Sequence, residues 1–430
     1  MKTLAIALGL LLAGTAAAQT QYDTLLKGGH VIDPRNEINA IRDVAVKDGK
    51  IARVAANIPA SEAAKVVDVT GLYVTPGLID IHVHVYAGTG QRRGYNGDSS
   101  IYPDGFTLRS GVTTVVDVGS SGWRQFEDFK DRVIDRSRTR VLSMLNITGN
   151  GMTSGPEEHD TTEFDAKATA DMAKKYPGLI VGVKSAHYRH PDWTSVERAV
   201  EAGTLANIPV MVDFGTNHPD TRPLADLLTK KLRPGDIYTH CFAGNRDELI
   251  SETGKINPGM FAGRERGVKF DVGHGGGSFR WEVAVAAIEQ GFPPDSISTD
   301  LHVGSMNSGM KSMIRTVSKI YNLGVPLYDV IKMSTSNPAA EIKRTDLGHL
   351  SEGAVADVAV LRDERGVYGF ADARGARYTG NKLLDCELTL REGNVVWDLN
   401  GRAGVNWKDV QERRPGQGRG QGQGRRRGIR

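Results

Sequence analysis

Between residues 77 and 346 short apolar runs alternate with longer stretches of mixed charge. The runs are "LIDIHVHV", "VTTVVDVG", "VLSMLNIT", "LIVGVKS", "PVMVDFG", "DIYTHCF", "VKFDVGH" and "SISTDLHV". Each reads as a buried strand, and most of the intervals hold a helix, as in "TSVERAVEAGTLAN" and "SFRWEVAVAAIEQ". Eight strands in βα alternation, with no evident antiparallel hairpin, predict an α/β fold of the (β/α)8 TIM-barrel type. A doubly wound sheet would carry a Gly-rich dinucleotide turn after its first strand. Here the first strand ends in "HVHVY", so the barrel is preferred.

The flanks have a different texture. Residues 19–76 are β-type runs broken by turns ("TLLKGGHVID", "DVAVKDGKIARVAA", "KVVDVTGLYV"), with a hairpin signal at Asp48-Gly49. Residues 347–402 return to that pattern in "VADVAVLRD" and "CELTLREGNVVWD". A small β-sandwich built from both chain ends is expected beside the barrel. At 430 residues and 39% hydrophobic composition, the chain can bury a core of that size.

The extreme ends lie outside this scheme. Lys2 followed by the apolar run Leu4–Ala13 and the small residues of "TAAAQT" reads as a signal peptide over 1–18, which implies a periplasmic or secreted protein. Residues 403–430 are expected to be a disordered tail rich in Arg, Gly and Gln. The seven arginines from Arg413 onward account for the formal charge of +3; without them and Lys2 the body is mildly acidic. No nucleic-acid role and no membrane insertion are inferred. With only Cys241 and Cys386, a disulfide framework and a Cys-based zinc cluster are excluded, and Cys241 is read as core.

Candidate chemistry gathers at the C-terminal ends of the strands, where such barrels place their active sites. His82 and His84, two apart in a strand, point to one face and can share a metal ion. Lys184 either pairs with an acid or, desolvated, takes up carbon dioxide as a carbamate able to bridge two cations. His240 and Asp300 end two further strands. Asp213 interrupts "VMVDFGT" with a carboxylate that must face a partner.

"PGLIDIHVH", the strand-four lysine, the strand-six histidine, "STDLHV", "TSNPAAEI" and "LGHLSEGAVADVAVL" together resemble the amidohydrolase superfamily of metal-dependent hydrolases over residues 23–400. "VGHGGGSF" followed by "DSISTDLH" is most similar to its dihydroorotase-like amidohydrolase/deacetylase branch. The resemblance implies two divalent cations, zinc first and manganese as the alternative, with a bridging hydroxide. His82, His84 and Asp300 would hold the first cation, and carboxylated Lys184 would bridge to the second. The second would take His240 and a strand-five histidine, whose place is held by Asp213. Three readings of Asp213 stand side by side: a direct ligand, which is preferred; an orienting group beside a weak or empty second site; or a neighbour to an imidazole supplied by His187 or His218.

Asp300 is expected to act as the catalytic proton shuttle and His274, in "GHGGGS", as a second catalytic group at the oxyanion. Tyr188, Arg189 and His302 are candidate substrate contacts, as are Arg92 and Arg93. No G-x-S-x-G elbow occurs, so a serine hydrolase is not read. The expected reaction is hydrolysis of an amide or ester of a small acyl compound, a deacylase. A cyclic amidase and a non-catalytic binding protein on the same fold are the alternatives. The expected partners are the small acyl substrate and, with copy number open, further copies of the chain in a homo-oligomer.

Overall fold

The computed structural model describes residues 20–410. The leader at 1–18 and the tail beyond residue 410 lie outside the described residues. The N-terminal strands are β1 (Tyr22–Asp33), β2 (Ile38–Lys47), β3 (Lys50–Ala55), β4 (Ala63–Asp68) and β5 (Tyr73–Pro76). The central strands follow as β6 (Leu78–Val83), β7 (Val112–Gly122), β8 (Arg140–Asn146), β9 (Ile180–Ser185), β10 (Val210–Val212) and β11 (Ile237–Tyr238). After them come β12 (Leu249–Ile250), β13 (Lys255–Ile256) and β14 (Lys269–Phe270). The chain ends in β15 (Val358–Ala371), β16 (Arg377–Arg391) and β17 (Asn394–Asp398).

The central strands form a seven-stranded parallel sheet in the order β6-β7-β8-β9-β10-β11-β14. Helices in the intervals lay apolar stripes against it. In Thr194–Ala206 the buried positions Val196, Ala199, Ala202 and Gly203 recur at helical spacing, and Asn207 ends the helix with φ 56°, its N–H bonding back to Gly203 and Thr204. Helix Met313–Asn322 starts on Ser312, whose side chain accepts from the Arg315 N–H, and buries Ile314, Val317 and Ile320. The main core joins strand residues such as Val115, Val183 and Val210 to helix residues such as Phe129, Ala199 and Val283.

The eighth expected strand is only partly formed. Segment 296–301 bridges Asp271 of one edge through Ser296 and Val83 of the other through Leu301, both in parallel sense, without a continuous ladder. Asp300 interrupts the extended run with φ 50°, a left-handed conformation that no strand can propagate. The expected absence of hairpins is also corrected: β12 and β13 pair antiparallel in the loop after β11.

The two chain ends meet as expected, in an eight-stranded mixed sheet of order β17-β16-β15-β5-β1-β2-β3, with β4 also on β1. Hydrogen bonding thus joins these strands into one sheet, where a sandwich of two was expected. A bulge between Leu26 and Gly29 divides β1, whose first half pairs with β4 and whose second half pairs with β5. Leu26, Val31, Val44, Val74, Val358, Val360 and Leu388 form its core. Ala403, assigned to the tail by composition, packs into that core as well. No helix among the described residues is long and apolar enough to cross a membrane.

Candidate active site

Every central strand that carries a candidate residue delivers it at the C-terminal end. His82 lies near the end of β6 and His84 just beyond, Lys184 closes β9, and Asp213, His240 and Asp271 follow β10, β11 and β14. Asp300 comes from the bridging segment. These side chains are all buried.

The first cluster is His82, His84 and Asp300, whose donor atoms lie within 4.8 Å of one another. Asp300 Oδ1 is 3.1 Å from His84 Nε2 and 3.6 Å from His82 Nε2, yet it is buried without a hydrogen-bond partner. The outward ring nitrogens are engaged. Thr239 donates its hydroxyl proton to Asp271 at 2.7 Å, so at 2.8 Å its oxygen accepts from His82 Nδ1. That fixes the tautomer and leaves the His82 Nε2 lone pair facing Asp300. His84 Nδ1 meets Ser120 Oγ at 2.9 Å in the same sense. Burial pushes His82 down to about 3 and His84 down to about 4, so both rings are neutral, the form a metal requires. Burial alone would raise Asp300, but His302 beside it holds the carboxyl well below the usual range. Two lone pairs and one orphaned carboxylate oxygen converging in a dry site fit a divalent cation.

Lys184 is 1% exposed, and among the described residues the one polar partner of its Nζ is His82 Nε2 at 3.4 Å. Among the described residues no carboxylate lies within ion-pair distance of it. Burial pushes its ammonium down to about 8, so a neutral amine is accessible near neutral pH, the form that takes up carbon dioxide.

Asp213 has a partner that sequence reading missed. Its Oδ1 accepts from Arg246 Nη2 at 2.6 Å and from the Gly215 N–H at 3.2 Å. Oδ2 lies 3.3 Å from His240 Nε2 and 3.5 Å from His187 Nε2. Burial would raise this carboxyl, but the Arg246 guanidinium holds it well below its ordinary value. Of the two loop imidazoles considered, His187 is at the site. His218 is not, because its Nε2 bonds the Arg189 carbonyl at 2.7 Å.

Three other candidates are engaged elsewhere or face solvent. Both nitrogens of His274 are taken, Nδ1 by the Gly275 carbonyl at 2.9 Å and Nε2 by Lys319 Nζ at 2.5 Å, and its ring stacks on Phe279 at 4.6 Å. It is a wall residue with nothing left to offer an oxyanion. Tyr188 turns away from the centre to hydrogen-bond Asp192 at 3.0 Å. Arg189 is exposed, and its recorded hydrogen bond is through its backbone. His302 does reach the site: Nδ1 bonds the Asp300 carbonyl at 2.8 Å, and its ring packs edge-on against both Tyr95 and His84, at 5.1 and 6.1 Å between centroids. Tyr95, unforeseen because it sits in an irregular loop, packs on His84 with centroids 4.3 Å apart. A cleft of about 700 Å³ lined by Arg92, Arg93, Tyr95, Asp98 and His302 opens beside the cluster.

The glycine run has a structural reason. Gly275 has φ 57°, and a Cβ there would lie 2.6 Å from Asp300 Oδ2. Gly275→Ala is expected to cost about 1–2 kcal/mol for the left-handed backbone alone and to displace the Asp300 carboxylate. Thermal melting should show the first effect and a reduced kcat the second.

Residues 280–375 match the amidohydrolase family. The deacetylase of Brucella anthropi is 34% identical over 335 residues, which is 75% of this chain and 80% of that one. The crystal structure of an adenine deaminase superposes with TM-score 0.79 at 29% identity, covering 88% of this chain and all of that one. A dihydroorotase structure gives TM-score 0.75 at 29% identity over 87% of this chain and 99% of that one. With a deacetylase this similar over most of its length, and with a metal-type cluster at the strand ends, the chain belongs to the amidohydrolase family.

Proposed function

We propose that this protein is an exported deacylase, hydrolysing the amide or ester of a small N-acyl or O-acyl compound at a site for two divalent cations. The observation that carries this reading is the convergence of His82 Nε2, His84 Nε2 and the unpartnered Asp300 Oδ1. Zinc suits two imidazoles and a carboxylate, and Asp213 adds an oxygen donor that manganese also accepts. Lys184, as its carbamate, would bridge to the second cation beside Asp213 and His240. Bound there, such cations acidify a water and polarise an acyl carbonyl. The fold completing this site is inferred to be a closed (β/α)8 barrel, with segment 296–301 as the eighth stave and the outer sheet folded on itself as a sandwich.

The chain's own groups supply the rest. Asp300, ionised and buried, accepts the proton of the attacking water and returns it to the leaving nitrogen or oxygen. Thr239 and Asp271 hold the His82 ring, and Ser120 holds His84, so neither needs to reorient during the reaction. Tyr95 and His302 wall the approach and limit water around the reacting bond.

A panel of N-acetyl amino acids, O-acetyl hydroxy acids and cyclic ureides tests the reading. Hydrolysis of an acyclic member is expected to fall by about two orders of magnitude or more on chelation and to return with zinc or manganese. Turnover confined to the cyclic members would instead support a cyclic amidase, the second reading, which the likeness to a dihydroorotase favours. Chelator-insensitive turnover would sink both.

A further inference from the structure

Of the five imidazoles at the site, His302 points Nδ1 at Asp300, and the other four are all turned the opposite way. Nδ1 is engaged outward: His82 with Thr239, His84 with Ser120, His240 with the Gly273 carbonyl at 2.5 Å, and His187 with Glu158 Oε2 at 3.2 Å. Nε2 faces inward on a carboxylate. His82 and His84 face Asp300 Oδ1, while His240 and His187 face Asp213 Oδ2. Asp300 Oδ1 has no partner at all, and Asp213 takes its hydrogen bonds through Oδ1, from Arg246 and Gly215. Lone pairs brought this close to the unpartnered Asp300 Oδ1 repel, and a cation at that point converts the repulsion into ligation; at Asp213 two Nε2 atoms converge on the one oxygen that Arg246 does not bind.

We propose that His187 is a ligand of the second cation, together with His240 Nε2 and Asp213 Oδ2, and that Glu158 is the positioning residue that holds its ring. This rests on the two-cation reading above. Because Arg246 occupies Oδ1, Asp213 offers the second site a single oxygen, and His187 Nε2, 3.5 Å from that oxygen, is a further nitrogen donor within its reach. His187, two residues beyond β9, is placed to give it. Its left-handed backbone (φ 57°) is a conformation that costs a non-glycine residue energy, as at His240 (φ 62°) and Asp300 (φ 50°), the other site residues so strained. Glu158 is 4% exposed, and its Oε1 is anchored by the Ser154 N–H at 2.7 Å. A buried carboxylate thus orients an imidazole whose far nitrogen faces the ion, the arrangement that raises ligand basicity and fixes the ring. Glu158 thus holds His187 directly, where on the first site Asp271 holds His82 through the Thr239 hydroxyl.

The test is the metal content of the full chain, stripped, reloaded with excess zinc and desalted, together with the visible absorption of the cobalt-loaded form. His187→Asn is the first variant, since asparagine tolerates the left-handed backbone. Two zinc ions per chain in the wild type and one in His187→Asn, with the cobalt bands of the first site retained, would support the assignment. Two in His187→Asn would overturn it. One in the wild type would overturn the assignment while leaving the first site and the hydrolase reading in place; none in the wild type would overturn both. Should His187→Asn fail to fold, Glu158→Gln keeps the ring and changes only its hydrogen bond. Second-site affinity is then expected to weaken about 10–100-fold, and unchanged affinity would overturn the assignment.

Discussion

Replacing Asp300 by Asn is expected to lower kcat by about 10²–10⁴-fold, with little change in KM. The amide keeps the shape of the side chain, so its seat against Gly275 and the hydrogen bond from His302 to the Asp300 carbonyl both survive. What is lost is the negative charge and the ability to accept a proton. The native carboxyl is suited to that work because His302 keeps it ionised in a site where burial alone would favour the neutral acid. Asn also weakens the first cation site, so kinetics should be measured with saturating zinc and the metal content determined alongside. A kcat within threefold of wild type at full occupancy would remove Asp300 from proton transfer.

Arg246→Met is expected to destabilise the metal-stripped protein by about 3–5 kcal/mol. Both partners of the ion pair are nearly inaccessible, Arg246 at 5% and Asp213 at 7% exposure. Removing the guanidinium leaves a buried carboxylate with only the Gly215 N–H on Oδ1. Adding Asp213→Asn should restore more than half of the loss, because a neutral pair avoids the uncompensated charge. Urea denaturation of the two single variants and the double variant gives the coupling directly. Stripping matters, since a bound cation would itself neutralise Asp213. A cost under about 1 kcal/mol for Arg246→Met would mean that the buried acid is held by something other than this arginine.

Much of the site is legible in the chain because strand ends are where its chemistry sits. The two-residue spacing of His82 and His84 places both on one face, and Lys184, Asp213, His240 and Asp300 each close an apolar run. Their partners carry no such signal. Arg246 lies in an irregular loop and Glu158 in the single 3-10 turn Pro156–His159, where neither periodicity nor spacing tells a buried charge from a solvated one. His274 was misread for a related reason. Its glycine-rich setting suggests a substrate loop, whereas the group that claims it, Lys319, arrives on a helix 45 residues later. The eighth strand is visible as a pattern, yet the left-handed turn at Asp300 that aims the carboxylate also breaks the ladder. The outer sheet is foreseen in its parts, while the bulge that lets β1 pair with both β4 and β5 leaves no mark beyond Gly28-Gly29.

The pairing of β5 with β15 sets the order in which this molecule can be made. Thr75 and Ala359 are register partners 284 residues apart, with the whole parallel sheet between them in sequence. During synthesis β1 to β5 emerge first and must wait, with the β5 edge unpaired, until nearly all of the chain has followed. An unpaired edge of that kind invites another chain, so the interval is the time of greatest exposure to aggregation. Closing so long a loop also makes the outer sheet a late and slow event. The final strands therefore act as a latch: until they arrive, the N-terminal segment is committed to a sheet it cannot complete.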